Sequence, residues 1–537
     1  MNIPGLVCVI VFYIAIFVIG IIAGRKKKSA SLESRLLADR NLGLLISSCS
    51  FTASVIGGAY ILGTAEVVGR DGLIWAIAPV FFSLSGIFIA YIVLPKIAKD
   101  GYTTMFDPIQ NKFGKKMGAL LFINELVASV IWEASILKSL GTTLSFIIDV
   151  DFELSVIAST CVAVVYTFFG GMYSVSFTDI IQFIILSICL VLVIPFVSMN
   201  EAVHFERIGS SWTGSLPSNW IGYYIDICLV CFGGGVPWAL VYQGAFACRT
   251  FGTAQRAMMI STALSLLLLI PPSVVGIAGT VADWNMTSYT GNSTQLFDQW
   301  SEVFPMALRY LCPSTVSILG LAAISAAVMS SVDTIVLSTG GVFTRNIYQN
   351  ILRPQASQTE ILWVLRISVL VVGALGVIIA VNVRSIYALS ILSGDVMYVA
   401  QFPQLICSLW LEYGNTYGSL SGFLIGLTIR ILGGEPLLKI PSIIRLPFYD
   451  EATDTQLFPF RTFSMICSFM GIAAVSKLTD FIFRRNFISK KFDMFRCFQE
   501  ENSEDNSKDS KSCRVNDGNC EETENATFLN CDVQTNM

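Results

Sequence analysis

The chain has 537 residues, of which 54% are hydrophobic and only 13% are charged. Soluble domains carry about 25% charged residues, so this composition excludes a large soluble protein and indicates that most of the chain faces lipid. The formal net charge of -4 comes with no basic patch, which excludes a nucleic-acid-binding protein. One histidine, and 14 cysteines without metal-ligand spacing, argue against an enzyme with a metal or histidine centre and against a bound cofactor.

Apolar runs recur along almost the whole chain, and each is long enough to cross a bilayer core of about 30 Å as a helix. The predicted fold class is an all-α polytopic membrane protein with about thirteen transmembrane helices. The predicted spans are 4–24, 45–68, 73–97, 117–149, 154–170, 178–199, 222–248, 257–282, 305–347, 361–382, 385–411, 415–432 and 460–483. Acidic residues dominate after residue 498, so we expect a disordered cytoplasmic tail over 499–537.

The distribution of basic residues predicts the orientation of these spans. The loop after the first span holds six Lys and Arg residues between Arg25 and Arg40, so it is predicted to be cytoplasmic and the N-terminus extracellular. The later loops that this alternation assigns to the cytoplasm are also basic. Asn285-Met-Thr and Asn292-Ser-Thr are sequons in a loop predicted to be extracellular, so both asparagines are candidate glycosylation sites.

Two spans contain residues that break helices. Gly57 and Gly58 lie in the middle of the second span, and Gly233–Gly235 with Pro237 lie in the seventh. Unwound backbone at membrane depth lines a cavity or is buried in protein. The breaks open successive groups of five spans, which predicts two repeats of opposite orientation, 45–199 and 222–411, with a site between them. The alternative is that these glycines only permit close helix packing.

Aromatic residues near the breaks indicate what such a site binds. Tyr60, Trp238 and Tyr242 lie beside the breaks, and Trp132 lies in the fourth span. Aromatic faces without a neighbouring lysine or arginine suit a cation, although core packing explains any one of these residues equally well. These residues alone leave a cation and an apolar solute open.

The ninth span is unusually polar. It reads Ser325-Ala-Ala-Val-Met-Ser-Ser-Val-Asp-Thr334, and Asp179 lies near the start of the sixth span. Small hydroxyls often join helices, but ionisable residues within spans are functional candidates, and their oxygens suit Na⁺. The other acids in or near spans are Glu125, Glu133, Asp226 and Asp395, whose spacing assigns them no role.

From the first span to about residue 497 the chain resembles the sodium:solute symporter family, and within it the branch that carries choline. The matching blocks are Gly63-Thr-Ala-Glu66, Trp75-Ala-Ile-Ala-Pro79, Gly170-Gly-Met-Tyr-Ser-Val175, Val236-Pro-Trp238, Ser325-Ala-Ala-Val-Met-Ser-Ser331, Arg345-Asn-Ile-Tyr-Gln349, Asn415-Thr-Tyr-Gly418 and Gly433-Gly-Glu-Pro436. The resemblance implies a LeuT-like 5+5 inverted-repeat core (45–411), preceded by an extra span and loop (1–44) and followed by two spans (412–498). It also implies Na⁺-coupled choline import across the plasma membrane, with synaptic or endosomal vesicles as a further location.

The resemblance also implies ion sites. The principal Na⁺ site matches Ala53, Ile56, Ala327, Ser330 and Ser331, and a second Na⁺ site matches Asp179, Asp333 and Thr334. Chloride stays open as a further ion. The expected partners are thus a small-molecule substrate, Na⁺ and membrane lipid, without nucleic acid.

For choline the resemblance implies an aromatic cage. Trp132 and Trp238 match two of its tryptophans, whereas Val55 replaces a third tryptophan and Phe82 replaces a tyrosine. Losing a tryptophan face weakens cation binding, and Glu133, beside Trp132, is a candidate to compensate with charge. A different small organic solute, or a non-transporting ligand sensor, therefore remains an alternative.

Overall fold

The computed structural model describes residues 2–24, 32–98, 102, 104–169, 172–207, 209, 211–289, 300–383, 385–451, 455–485 and 487–498. The predicted glycosylation site at Asn292, the tail over 499–537, the Gly170-Gly171 pair and most of the first basic loop lie outside these residues. Asn285 lies inside them, in an exposed turn over Trp284–Met286.

Up to residue 198, the described part of the chain contains ten α-helices. They are α1 (Ile3–Gly24), α2 (Leu32–Leu37), α3 (Leu44–Val55), α4 (Gly58–Asp71), α5 (Ile77–Phe88), α6 (Leu94–Ala98), α7 (Phe106–Phe113), α8 (Lys115–Ile148), α9 (Phe152–Phe169) and α10 (Met172–Ser198). A π-helical segment over Ile89–Val93 joins α5 to α6.

From residue 221 onward, the described residues form eleven α-helices. They are α11 (Ile221–Gly235), α12 (Ala239–Ala247), α13 (Phe251–Leu267), α14 (Ile270–Val281), α15 (Val303–Leu311), α16 (Ser314–Val342), α17 (Gln358–Asn382), α18 (Ile386–Val396), α19 (Phe402–Trp410), α20 (Thr416–Leu432) and α21 (Phe460–Arg484). π-Helical segments cover Phe343–Leu352 and Met397–Gln401. Between α20 and α21, β1 (Tyr449–Asp450) pairs antiparallel with β2 (Thr455–Gln456).

The described residues contain eight helices that are long and apolar enough to cross a membrane, and ten such spans if each of two bent helix pairs counts as one. Among the described residues, the apolar helix α20, with 17 residues, falls below this length. The chain is therefore a helical multi-pass membrane protein. The number thirteen stays a prediction.

The first bent pair is α3 and α4, which meet at 47°. Ile56 and Gly57 leave the helical conformation between them. An added Cβ on Gly57 would lie 2.3 Å from the Ser331 hydroxyl oxygen on α16, so only glycine lets the break approach α16 this closely. The predicted break in the second span is confirmed.

The second bent pair is α11 and α12, which meet at 41°. Pro237 cannot donate a backbone hydrogen bond, and Trp238 adopts an extended conformation with φ −79° and ψ 115°. An added Cβ on Gly234 would lie 2.2 Å from the Gly394 carbonyl oxygen, so α11 lies directly against α18. The predicted break in the seventh span is also confirmed.

The core is built around two long helices. α8 packs against α9, α16, α17 and α18, and α16 packs against α8, α10 and α17. Most residues of α16 from Gly320 to Val342 are buried, including its serines and threonines. Because the two broken pairs pack on these helices, both breaks lie at the centre of the protein.

A buried ion-pair cluster ties the last two helices to the core. Asp395 of α18 accepts from Arg430 of α20 at 2.5 Å and from Arg461 of α21 at 3.3 Å. Arg461 also lies 3.6 Å from Asp226 of α11, and Arg430 pairs with Glu435 at 2.5 Å. Buried charges of this kind are tolerated only when they are paired. Ion pairs as well as packing therefore join α11 and α18 to α20 and α21.

Candidate substrate and sodium sites

A central cavity of about 520 Å³ lies beside both breaks. Side chains from α4, α5, α8, α11, the second break and α18 enclose it. Its lining residues are Ala59, Tyr60, Thr64, Ala78, Pro79, Phe82, Trp132, Cys231, Trp238, Tyr387, Ser390, Ile391 and Gly394. No lining residue carries a charge, and five are aromatic. We call this space the central cavity.

Three aromatic rings form one continuous wall of the central cavity. The Trp132 ring lies 5.8 Å from Phe82, nearly parallel at 24°, and 5.6 Å from Trp238 at 57° between the ring planes. Trp238 owes its position to the extended backbone of the second break. The wall therefore depends on three elements, namely α5, α8 and the break.

Two tyrosines on the other walls are fixed by hydrogen bonds to backbone. The Tyr60 hydroxyl donates to the Ser265 carbonyl oxygen of α13 at 2.7 Å, and the Tyr387 hydroxyl donates to the Trp75 carbonyl oxygen at 3.0 Å. Both rings thus keep one edge anchored while a face lies at the cavity. Such anchoring lowers the entropy cost of ordering the rings around a ligand.

Four of the six predicted substrate residues line the central cavity, namely Tyr60, Phe82, Trp132 and Trp238. Val55 lines a neighbouring cavity that shares Phe82 with the central one. Tyr242 is fully buried, and its hydroxyl donates to the Val236 carbonyl oxygen at 3.0 Å. Tyr242 therefore bonds to the backbone of the second break and does not line the central cavity.

Sequence reasoning missed several residues of the cavity, of which four are polar or aromatic, namely Thr64, Cys231, Tyr387 and Ser390. Tyr387 and Ser390 lie on α18, which is far from both breaks in the sequence and reaches the cavity only through tertiary packing. The local signal available was the Tyr-x-x-Ser spacing, which places both residues on one helix face.

Two further cavities flank the central one. An outer cavity of about 1050 Å³, on the predicted extracellular side, is lined by residues such as Arg70, Trp220 and Tyr387. An inner cavity of about 700 Å³, on the predicted cytoplasmic side, is lined by residues such as Ser47, Val55 and Phe82. The outer and central cavities share Tyr387, and the central and inner cavities share Phe82. Each partition thus includes one aromatic residue.

A fully buried carboxylate and several hydroxyls meet beside the first break. Asp179 of α10 accepts a hydrogen bond from Ser50 of α3 at 2.5 Å and another from Ser330 of α16. Three helices therefore direct oxygen atoms at one point. Carboxylate and hydroxyl oxygens are hard ligands of the kind that alkali and alkaline-earth cations prefer.

The other predicted Na⁺ residues lie in the same region. The Ser331 hydroxyl donates to the Ala53 carbonyl oxygen at 3.3 Å, and the Ser54 hydroxyl donates to Thr334 at 3.4 Å. Ala327 and Asp333 are buried on α16, and Ile56 is buried in the break. The donor set of both predicted sites fits Na⁺, and the assignment of each residue to either site stays a prediction.

Glu133 is not placed to compensate charge in the cage. It is fully buried, but its carboxyl group faces α17, where a Cβ added to Gly376 would lie 2.9 Å from the Glu133 carboxyl carbon. Trp132, the preceding residue, points into the central cavity. Adjacent helix residues differ by about 100° in direction, so the charge of Glu133 faces α17.

Comparison with known proteins agrees with this geometry. The model of the sodium:solute symporter family matches residues 36–426. The chain is 43% identical over 500 residues to high-affinity choline transporter 1 of Drosophila melanogaster, covering 92% of this chain and 81% of the relative. The chain belongs to the sodium:solute symporter family. The human high-affinity choline transporter 1 is 38% identical over 522 residues, with 94% and 90% covered.

A solved structure extends the family assignment to the fold. The chain is similar to a Na⁺-coupled sialic acid symporter in a substrate-bound, outward-open state, with a TM-score of 0.72 at 14% identity. The similarity covers 88% of this chain and 98% of the symporter. The predicted fold class, a helical inverted-repeat membrane transporter, is therefore confirmed.

Proposed function

We propose that this protein is a Na⁺-coupled symporter that imports choline, or a closely similar quaternary ammonium compound, across the plasma membrane. The observation that carries the proposal is the central cavity, which is aromatic, uncharged and placed between two broken helices. Relatives named high-affinity choline transporter support the same substrate.

The chemistry of the central cavity suits a quaternary ammonium group. Its nitrogen has no N–H to donate, so the group is held by ring faces rather than by hydrogen-bond acceptors, at about 0.5–2 kcal/mol per ring depending on desolvation. Phe82, Trp132 and Trp238 provide adjoining rings. Thr64 and Ser390 place hydroxyl groups on the same cavity, where they suit the hydroxyl of choline.

The three cavities suit alternating access. Opening the partition at Tyr387 joins the central cavity to the outer one, and opening the partition at Phe82 joins it to the inner one. Na⁺ at the Asp179 cluster stabilises one arrangement of α3, α10 and α16. Each Na⁺ that enters down a potential of about 100 mV contributes about 2.3 kcal/mol.

Uptake of radiolabelled choline by cells or proteoliposomes that contain the protein tests the proposal. We expect saturable uptake that falls at least about tenfold, which corresponds to about 1.4 kcal/mol, when Na⁺ is replaced by N-methylglucamine. Betaine, carnitine and glucose serve as competitors. Equal uptake with and without Na⁺ contradicts the coupled mechanism. Binding of choline without flux favours the sensor alternative.

Val55→Trp tests whether choline, rather than a different small solute, is the substrate. Val55 lines the inner cavity next to Phe82, so an indole there adds an aromatic face at the floor of the central cavity. We expect choline affinity to rise about tenfold, which corresponds to about 1.4 kcal/mol. The control Val55→Leu adds bulk without a ring. Unchanged choline affinity in Val55→Trp, or an equal gain in Val55→Leu, contradicts the cage.

A further inference from the structure

A buried carboxylate contacts the backbone of the second break. Glu125 of α8 is only 1% exposed, and its Oε1 accepts a hydrogen bond from the Ala239 N–H at 3.4 Å. Ala239 is the first residue of α12 and follows Trp238 of the aromatic wall. The other carboxylate oxygen, Oε2, is buried and has no hydrogen-bond partner among the described residues. Glu125 therefore bonds the backbone next to the aromatic wall through only one of its two carboxylate oxygens.

The other buried acids near the cavities are placed differently. Asp226 and Asp395 pair with arginines, Asp179 accepts from serines, Asp333 is buried among the predicted Na⁺ residues of α16, and Glu133 faces α17. Glu66 accepts from Ser385 and from the N–H groups of Ile386 and Tyr387, and its charge is paired with Arg70 at 3.8 Å. Within the described chain, Glu125 is the acid that bonds the backbone next to a residue of the aromatic wall.

A negative charge on Glu125 is only partly compensated by the groups around it. Burying a carboxylate is costly unless it is paired and fully hydrogen-bonded. The N-terminus of α12 offers about half a positive charge, and one long hydrogen bond satisfies only one of the two oxygens. A nearby positive charge would complete the compensation.

The aromatic wall is where that positive charge would lie. Trp132 follows Glu125 by seven residues on α8, which places both on one helix face about 10 Å apart along the axis. Trp238 immediately precedes Ala239, the residue that Glu125 binds. The lining of the central cavity is itself uncharged, so Glu125, when a bound cation favours its ionised form, would be the source of negative potential beside the wall.

We propose that Glu125 is a specificity-determining residue that selects a positively charged substrate over a neutral one of the same shape. The inference rests on the proposed function and adds to it. The rings of the cage accept both apolar and cationic groups, whereas a buried carboxylate favours only the cation. Glu125 thus separates the two substrate classes that an aromatic cavity alone leaves open.

The test compares choline with 3,3-dimethyl-1-butanol, a neutral molecule of nearly the same shape. Inhibition of radiolabelled choline uptake by each compound is measured for the full-length wild-type protein and for Glu125→Gln, which keeps an acceptor for the Ala239 N–H but removes the charge. Coulomb attraction over about 10 Å at an effective dielectric constant of about 20 corresponds to about tenfold in affinity. We expect choline to weaken about tenfold in Glu125→Gln, with the neutral compound unchanged.

Two further variants separate charge from folding. Glu153→Gln removes an exposed carboxylate in the first turn of α9, away from the cavities, and it should leave the ratio of the two affinities unchanged. Glu125→Asp keeps the charge and should retain the preference for choline. Equal weakening of both compounds in Glu125→Gln indicates a structural role and overturns the proposal, as does an unchanged ratio. Wild-type protein that neither binds nor transports choline would instead refute the proposed function itself, and this inference with it.

Discussion

Asp179→Asn should abolish Na⁺-driven uptake while leaving the protein folded. Asp179 accepts hydrogen bonds from α3 and α16 at one buried point, so its charge is the main attraction for a cation there. An amide of the same shape can still bond to hydroxyls but cannot neutralise Na⁺. We expect Na⁺ affinity to fall on the order of 100-fold, which corresponds to about 2.7 kcal/mol. The Na⁺ dependence of initial uptake rates measures the change.

The control for this variant is Ser187→Ala on the same helix. Ser187 bonds to the carbonyl oxygen of Phe183 within α10, so its loss should leave the Na⁺ dependence unaltered. A second readout does not need transport. The thermal stability of the purified protein is measured in NaCl and in LiCl at the same concentration, both without choline. Retained Na⁺ stabilisation and an unchanged Na⁺ dependence in Asp179→Asn would show that the cation binds elsewhere.

Trp238→Ala should have the second large effect, on the substrate. Trp238 lies in the second break and contacts Trp132 with 5.6 Å between ring centres, so alanine removes one ring face and loosens the other. We expect the KM for choline to rise about 100-fold, because the loss of two cation–π contacts costs about 2–3 kcal/mol. Trp238→Phe keeps a ring that binds cations more weakly, so its KM for choline should lie between those of the wild type and Trp238→Ala.

Trp410→Ala is the matched control, because Trp410 is 39% exposed at the end of α19 and lies outside the central cavity. Protein amount at the membrane is measured for every variant, so that a folding defect is separated from a binding defect. A Trp238→Ala protein with wild-type KM for choline would exclude the aromatic wall as the substrate site.

The breaks were predictable from sequence because their cause is local. Two adjacent glycines in one span, and three glycines followed by Pro237 in another, act through backbone propensity and need no knowledge of neighbours. The membrane-spanning character was equally predictable, since it depends on composition over about 20 residues. The number of crossings was less accessible, because a helix such as α20, with 17 residues, falls near the length limit.

The central cavity was predictable only in part. Tyr60 and Trp238 lie beside the breaks, so proximity in sequence indicated them correctly as cavity residues. Tyr387 reaches the cavity through the packing of α18, which sequence spacing does not specify. Glu133 and Tyr242 do not line the central cavity, because the helix directs their side chains elsewhere. Glu133 faces α17, and the Tyr242 hydroxyl bonds to Val236 in the second break. The rotation of a helix about its own axis, which decides where such side chains point, is fixed by tertiary contacts.

The ion pairs among Asp226, Asp395, Arg430 and Arg461 make the core depend on the two helices that follow it. Removing α20 and α21 would take away Arg430 and Arg461 and leave Asp226 and Asp395 as lone anions in a dry interior. Stranding such charges costs about 3–5 kcal/mol for each broken pair. We therefore expect that the segment up to residue 411 does not fold stably without α20 and α21.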